Sequence, residues 1–510
     1  MMGTANKSIT KNTVLLYIRL IITIFIAFFT QRIVLSALGI EDYGIYNVVG
    51  GLIVVIGVIN AGMIQASQRF FAYEIGRGEQ SELVEVFGVA LSIHAIISIV
   101  ILFMAEVFGV WFLNSVMTIP HERIFAANLV FQASVGALFI MVWAVPFDAL
   151  IISKEDFNIY AYISVIEAIL KLFIAYLIYS MSSLDRLIVY GCLLFIVTLI
   201  SKGGAVSYSK YKYKECQFKF NRDKTRIKKM LSFASFSFIG NIGFILRNQG
   251  VNLVINIFFG PAINAARGVA YQVSSQMASF AGNFQMAATP QITKNCANGN
   301  IERMQSLIYK SSKYSFCLLF FISLPVLVYP QPLLDLWLGD PPLYSDYFLQ
   351  LAILVSLIDC MATPLGKGID ATGKIRFFQI SICIIMCLDI PFAMLLFKLG
   401  ASCYSVMFIS IITSLLGLFV RLVILSHHIS LVTISSYMKA VVFPCILVMC
   451  IDYVIAYYLR CLFGKTFIVY LVYFVLVLFL SVCTIYIVCL DKKEKGKIKN
   501  MISKSLCHIG

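Results

Sequence analysis

The chain has 510 residues, of which 60% are hydrophobic and 13% charged, with a mean hydropathy of +0.90 and a net charge of +15. A soluble domain of this size would need far more polar surface, and apolar runs of about 20 residues recur, so the expectation is an all-α integral membrane protein. A β-barrel would show segments of roughly 10 residues with alternating polarity, which do not occur. The positive charge sits in short loops between apolar runs and comes with no nucleic-acid motif. It is therefore read as setting topology and touching anionic membrane lipid. The 14 cysteines lie mostly inside apolar runs, without CxxC or His-paired spacing, and read as small buried hydrophobes.

The start, "MMGTANKSITKNTVLLYIRLIITIFIAFFT", has a basic head and an apolar body. The apolar run is too long for a signal peptide and no A-x-A-like site follows, so it reads as a first retained helix. Fourteen spans are expected, near 14–36, 46–66, 86–110, 124–146, 158–180, 187–207, 233–259, 268–288, 307–329, 346–364, 378–397, 402–424, 438–459 and 466–489. With both termini placed in the cytoplasm of a bacterial inner membrane, most Lys and Arg fall inside, including the loop 209–229 and the tail 491–500. Few basic residues fall at outer ends, Arg32, Arg123, Arg186 and Arg267 among them.

No loop is long enough for a sizeable soluble domain, and no GxxxxGK[ST] occurs. No Ser/His/Asp, metal or nucleotide constellation appears, so neither an enzyme nor a cofactor is expected. Weak internal symmetry is present. "LG" at 38–39 is matched by "FG" at 259–260, and "RGEQSEL" (77–83) by "NGNIERM" (298–304). Gly39 precedes Gly78 by the same interval as Gly260 precedes Gly299. The turns "VPFDALIISKEDF" (145–157) and "TPLGKGIDATGKIRFF" (363–378) also match in kind. This predicts two pseudo-symmetric six-helix bundles, 1–229 with its basic linker and 230–430, followed by two further helices and a basic tail over 431–510.

The stretches "QRIVLSALGIEDYGIYNVVGG" (31–51), "QASQRFFAYEIGRGE" (65–79), "PLGKGIDATGKIRFFQ" (364–379) and "LLFKLGASCYSV" (395–406) resemble a known family. It is the polysaccharide, or Wzx-type, flippases, in the superfamily that also holds the multidrug and toxin extrusion (MATE) transporters and the lipid II flippases. The resemblance covers nearly the whole chain and rests on turn and loop patterns. It implies a flippase that moves a polyprenyl-pyrophosphate-linked oligosaccharide from the cytoplasmic to the periplasmic leaflet. It also implies two halves arranged as a V around a central cavity, alternating access between sides. A polysaccharide polymerase and glycosyltransferases are the partners to expect.

The seventh helix, "NIGFILRNQGVNLVINIFFG" (241–260), carries Arg247 with Asn241, Asn248, Gln249, Asn252 and Asn256. A central Arg costs about 2.5–3.5 kcal/mol on insertion scales, and the five amides fall within a sector about 100° wide, with Arg247 one row aside. Such a surface suits a wet cavity that grips pyrophosphate or sugar hydroxyls, since Arg binds phosphate bidentately. The alternative is an interhelical hydrogen-bond seam. On the eighth helix Gln272, Gln276, Ser279 and Asn283 share a face, with the same two readings.

On the fifth, Glu167 and Lys171 are an i, i+4 pair beside Tyr160 and Ser164, either a structural ion pair or a switch. Helix one offers Arg19, with Thr23 and Thr30 on its face, and Arg32; snorkelling is the plain reading of Arg19. In relatives, basic residues on helices one and seven line the cavity. Arg32 and Arg247 fit by helix.

The candidates for ion coupling are Glu167, which could take a proton, and, among the embedded acids Glu106, Asp148, Asp359, Asp389 and Asp452, the better-placed Asp359 and Asp389. His94 reads as a packing residue. Against a flippase stand a MATE-type cation antiporter, disfavoured because the most central unpaired charge is Arg247, a polytopic polymerase or ligase, disfavoured by the short outer loops, and an assembly scaffold.

Overall fold

A computed structural model describes residues 2–57, 60–115, 117, 119–181, 185–216, 223–338, 341–462, 467–491 and 495–496. Its helices are α1 (Met2–Gly57), α2 (Ala61–Arg77), α3 (Gln80–Met104), α4 (Val110–Ser115), α5 (Ile124–Ser153), α6 (Phe157–Ser180), α7 (Arg186–Lys212), α8 (Lys224–Ile245), α9 (Val251–Ala297), α10 (Ile301–Val328), α11 (Gln331–Leu338), α12 (Ser345–Thr372), α13 (Arg376–Cys387), α14 (Asp389–Lys398), α15 (Ser405–His428), α16 (Ile434–Tyr437), α17 (Phe443–Leu462) and α18 (Phe467–Val488).

Twelve helical segments among the described residues are long and apolar enough to cross a membrane, against the fourteen expected. The two expected spans outside the twelve are 46–66 and 268–288. The first runs across residues 58 and 59, which lie outside the described residues. The second is helical within α9, but Gln272, Ser274, Ser275, Gln276, Ser279 and Asn283 lower its hydropathy. The protein is an all-helical, multi-pass membrane protein.

The internal repeat is written in the backbone. Gly39 (φ 76°, ψ 174°) breaks α1, and Gly260 (φ 79°, ψ −178°) breaks α9 in the same conformation. Gly78 and Gly299, at φ 77° and 69°, end the following helices in the left-handed region. The region near φ +77°, ψ 180° is open essentially to glycine alone. A Cβ at Gly260 would meet nothing within 4 Å, so the only penalty of adding one is conformational. Gly260→Ala should therefore destabilise by about 1–3 kcal/mol with no packing defect, read as a lowered thermal midpoint of the purified protein.

The chain forms two compact units: residues 1–241 with 293–300, and residues 242–292 with 301–510. In the first, α5 packs against α1, α2, α3, α6 and α7 and so forms the centre of the unit. Val130, Phe131 and Val135 pack among Val34 and Val49 of α1, Ile174 and Ala175 of α6, and Leu187 and Val197 of α7. Arg123, just before α5, bridges two carboxylates, Asp42 of α1 and Asp185, which also N-caps α7. In the second unit α10, α12 and α15 form the core. The Met361 carbonyl of α12 accepts from Ser312 and Tyr437, and α16–α18 group with this unit.

Beyond the spans, Glu215 closes a polar network at one end of the first unit, accepting from Lys154 at 2.7 Å and Gln80 at 3.3 Å. Burial alone would raise its carboxyl pKa, but the hydrogen bonds from Lys154 and Gln80 hold it below the usual carboxylate range. A carboxyl depressed in the folded state contributes stability above its unfolded value and loses it as the pH falls through the folded value. The thermal midpoint should thus be insensitive to Glu215 from neutrality down to about pH 5 and fall in stronger acid. Lys154→Ala should move that fall to higher pH in a midpoint-against-pH scan.

Candidate ligand-binding pockets

Each unit holds a pocket lined by polar and charged side chains at the depth of its spans. In the first unit a cavity of about 460 Å³ lies between α1, α6 and α7. Arg19, Thr23, Thr30 and Gln31 come from α1, Tyr160, Ser164, Glu167 and Lys171 from α6, and Tyr190 from α7. Lys171 donates to Glu167 at 2.7 Å, and the second Glu167 oxygen accepts from Ser201 at 2.8 Å. The Arg19 guanidinium lies 5.0 Å from the Tyr160 ring centroid. The helical-face reading of Tyr160, Ser164, Glu167 and Lys171 therefore gathers one wall, and Arg19 with its two threonines faces it. Arg32 is exposed and lies outside this lining.

The second unit holds a cavity of about 590 Å³. Asn248 and Arg247 enter it from a π-helical turn, Leu246–Gly250, that joins α8 to α9. Tyr271, Gln272, Ser275 and Gln285 enter from α9, and Ser356, Asp359 and Thr363 from α12. Asn252 and Gln276 lie outside the lining.

Arg247 is not the unpaired charge that the sequence suggests. Its side chain is 4% exposed, with Nε 3.0 Å from Asp389 Oδ2 and Nη1 3.6 Å from Asp359 Oδ2. Nη2 donates to the Ser410 carbonyl at 2.8 Å and to Ser414 Oγ at 2.9 Å. Asp359 and Asp389, two of the three acids expected to couple ions, thus flank this guanidinium, and Asp389 is wholly enclosed whereas Asp359 remains a third exposed. Helical spacing carries no information about a partner 142 residues away.

Sequence reasoning also missed Arg267, which it placed at an outer helix end. Arg267 is 2% exposed. Its guanidinium stacks over the Tyr271 ring at 4.2 Å, and Nη1 donates to Asn252 Oδ1 and to the Asn248 carbonyl. Nε and Nη2 are buried with no hydrogen-bond partner, and no carboxylate lies within ion-pair distance among the described residues. Its neighbours Gly268, Tyr271 and Asn248 line the cavity. The Arg–Tyr spacing of four residues was the available signal.

The chain has the fold of the MATE transporters. It superposes on a MATE transporter in complex with MaD3S at TM-score 0.68 and 14% identity, over 83% of this chain and 96% of that one. A multidrug resistance MATE transporter of the MOP superfamily in an outward-facing conformation gives TM-score 0.67 and 14% identity, over 83% and 97%. A MOP superfamily transporter from Pyrococcus furiosus, described as having a binding pocket of reversed polarity that suggests a different function, gives 0.66 and 14%, over 83% and 96%. In sequence, the MatE family model matches residues 237–395, which include Arg247, Arg267, Asp359 and Asp389. No curated protein matches the chain significantly.

Proposed function

We propose that this protein is a transporter that flips a polyprenyl-pyrophosphate-linked oligosaccharide across the bacterial inner membrane by alternating access. The observation that carries the reading is Arg267, a buried guanidinium with two unused donors beside a cavity of amides and hydroxyls. A buried cation without a counter-charge is costly. A phosphate group would relieve that cost through paired N–H···O bonds, for which the flat guanidinium is suited. Gln272, Asn248, Ser275 and Tyr271 offer partners for sugar hydroxyls. Arg19 and Lys171 outnumber Glu167 in the lining of the other cavity, which also favours an anionic headgroup. A chain that only moves its cargo needs no catalytic constellation.

Arg267→Ala should lower affinity for the lipid-linked oligosaccharide by roughly 10–100-fold, the equivalent of one lost charge-assisted pair. Surface polysaccharide should fall accordingly at unchanged protein level, with Arg267→Lys recovering part of it. Normal export by the alanine variant would refute this role.

A second reading, antiport of an organic cation, draws on Asp359, whose carboxylate is a third exposed at the second cavity. It requires Asp359→Asn to sensitise cells to cationic drugs while polysaccharide export continues. The fold alone leaves cargo polarity open, as the reversed pocket of the archaeal relative illustrates.

A further inference from the structure

Asp389 opens α14 directly after the break that ends α13 at Cys387, and it is fully enclosed. Its Oδ2 accepts from Ser410 Oγ at 2.7 Å and its Oδ1 from Thr413 Oγ1 at 2.6 Å. The Ser410 carbonyl and Ser414 Oγ turn toward the same point, and all of these oxygens come from α14 and α15. One buried carboxylate surrounded by a carbonyl and hydroxyls is a hard-oxygen donor set. A single enclosed negative charge is balanced by a single positive one. Here that charge is the Arg247 guanidinium, delivered from the π-turn of another helix pair, whose Nη1 also lies 3.6 Å from the partly exposed Asp359 at the cavity side.

We propose that this nest is a seat for a monovalent cation, filled by the chain's own Arg247, so that the folded protein requires no sodium ion there. Arg247 acts as a tethered cation. It fixes the α13–α14 break against α15 without a diffusible ion. This inference is independent of the cargo, because it concerns a charge the protein already neutralises internally.

The test is the thermal midpoint of purified full-length protein in sodium chloride against choline chloride at equal ionic strength. Wild type should melt at the same temperature in both salts. Arg247→Ala vacates the seat and should be several degrees more stable in sodium chloride. Arg247→Ser, which adds an oxygen, should show the larger shift. Arg247→Ala combined with Asp389→Asn should lose the response. Equal midpoints for both single variants in the two salts would overturn the proposal, as would a sodium-specific gain of the same size in wild type. Recovery of folded single variants only when sodium is present would support it, and failure to recover either variant in either salt would count against it. None of these readouts involves transport, so they stand or fall separately from the flippase reading.

Discussion

Asp389→Ala should remove most of the folded protein from the membrane. The substitution leaves the Arg247 guanidinium enclosed with only Asp359 as counter-charge, at 3.6 Å and partly exposed. It also strands the Ser410 hydroxyl and leaves the Thr413 hydroxyl only its longer bond to the Ser410 carbonyl, at 3.2 Å. Removing one partner of a buried ion pair typically costs about 3–5 kcal/mol, because the remaining charge stays desolvated. Removing both is far gentler. Arg247→Met together with Asp389→Ala should thus recover a large part of the lost protein, since an apolar pair of similar volume demands no solvation. The check is a double-mutant cycle on the midpoint and yield of detergent-extracted protein. Equal losses for Asp389→Ala and for the pair would mean that the site contributes through packing alone.

The second large effect lies in the first unit, at Gly62 of α2. A Cβ there would sit 2.4 Å from the carbonyl oxygen of Ala234 and 3.1 Å from the amide of Phe238, both backbone atoms of α8. Backbone cannot swing aside as a side chain can, so the helices must separate. Overpacking usually costs about 1–3 kcal/mol, and Gly62→Val should reach the upper end or exceed it. Gly44→Ala provides the contrast, since a Cβ there meets nothing within 4 Å. A valine variant that melts within a degree of wild type would show that α2 and α8 separate at little cost.

Local patterns were legible in the sequence, and distant pairings were not. The Glu167–Lys171 pair was read from spacing because its members are one helical turn apart. The paired glycine breaks at 39 and 260 were visible because a residue type is itself a statement about backbone conformation. Twelve membrane spans follow from hydropathy; of the other two expected, 46–66 crosses residues outside those described, and 268–288 falls where α9 is polar, a polarity that belongs to the second cavity. Arg247 was correctly singled out as costly, but its neutralisation depends on Asp389 and Asp359, which only the packing of α12 and α14 brings near. In the sequence Arg267 reads only as one of the few basic residues at outer helix ends. Only three-dimensional neighbours reveal that it faces inward with two donors unused.

The π-turn at Leu246–Gly250 carries a geometric consequence for any projection of this segment. A π-turn accommodates one more residue than an α-turn, so the angular bookkeeping of the helix slips by roughly 100° across it. Residues before and after Arg247 that share a stripe on a uniform wheel diverge in space, which is why Asn252 turns to Arg267 rather than to the cavity that Asn248 lines. Deleting Gly250 alone would turn the π-turn into an ordinary α-turn and leave the downstream residues facing as they do now, whereas deleting one residue from the regular helix beyond it would rotate everything that follows by roughly 100°.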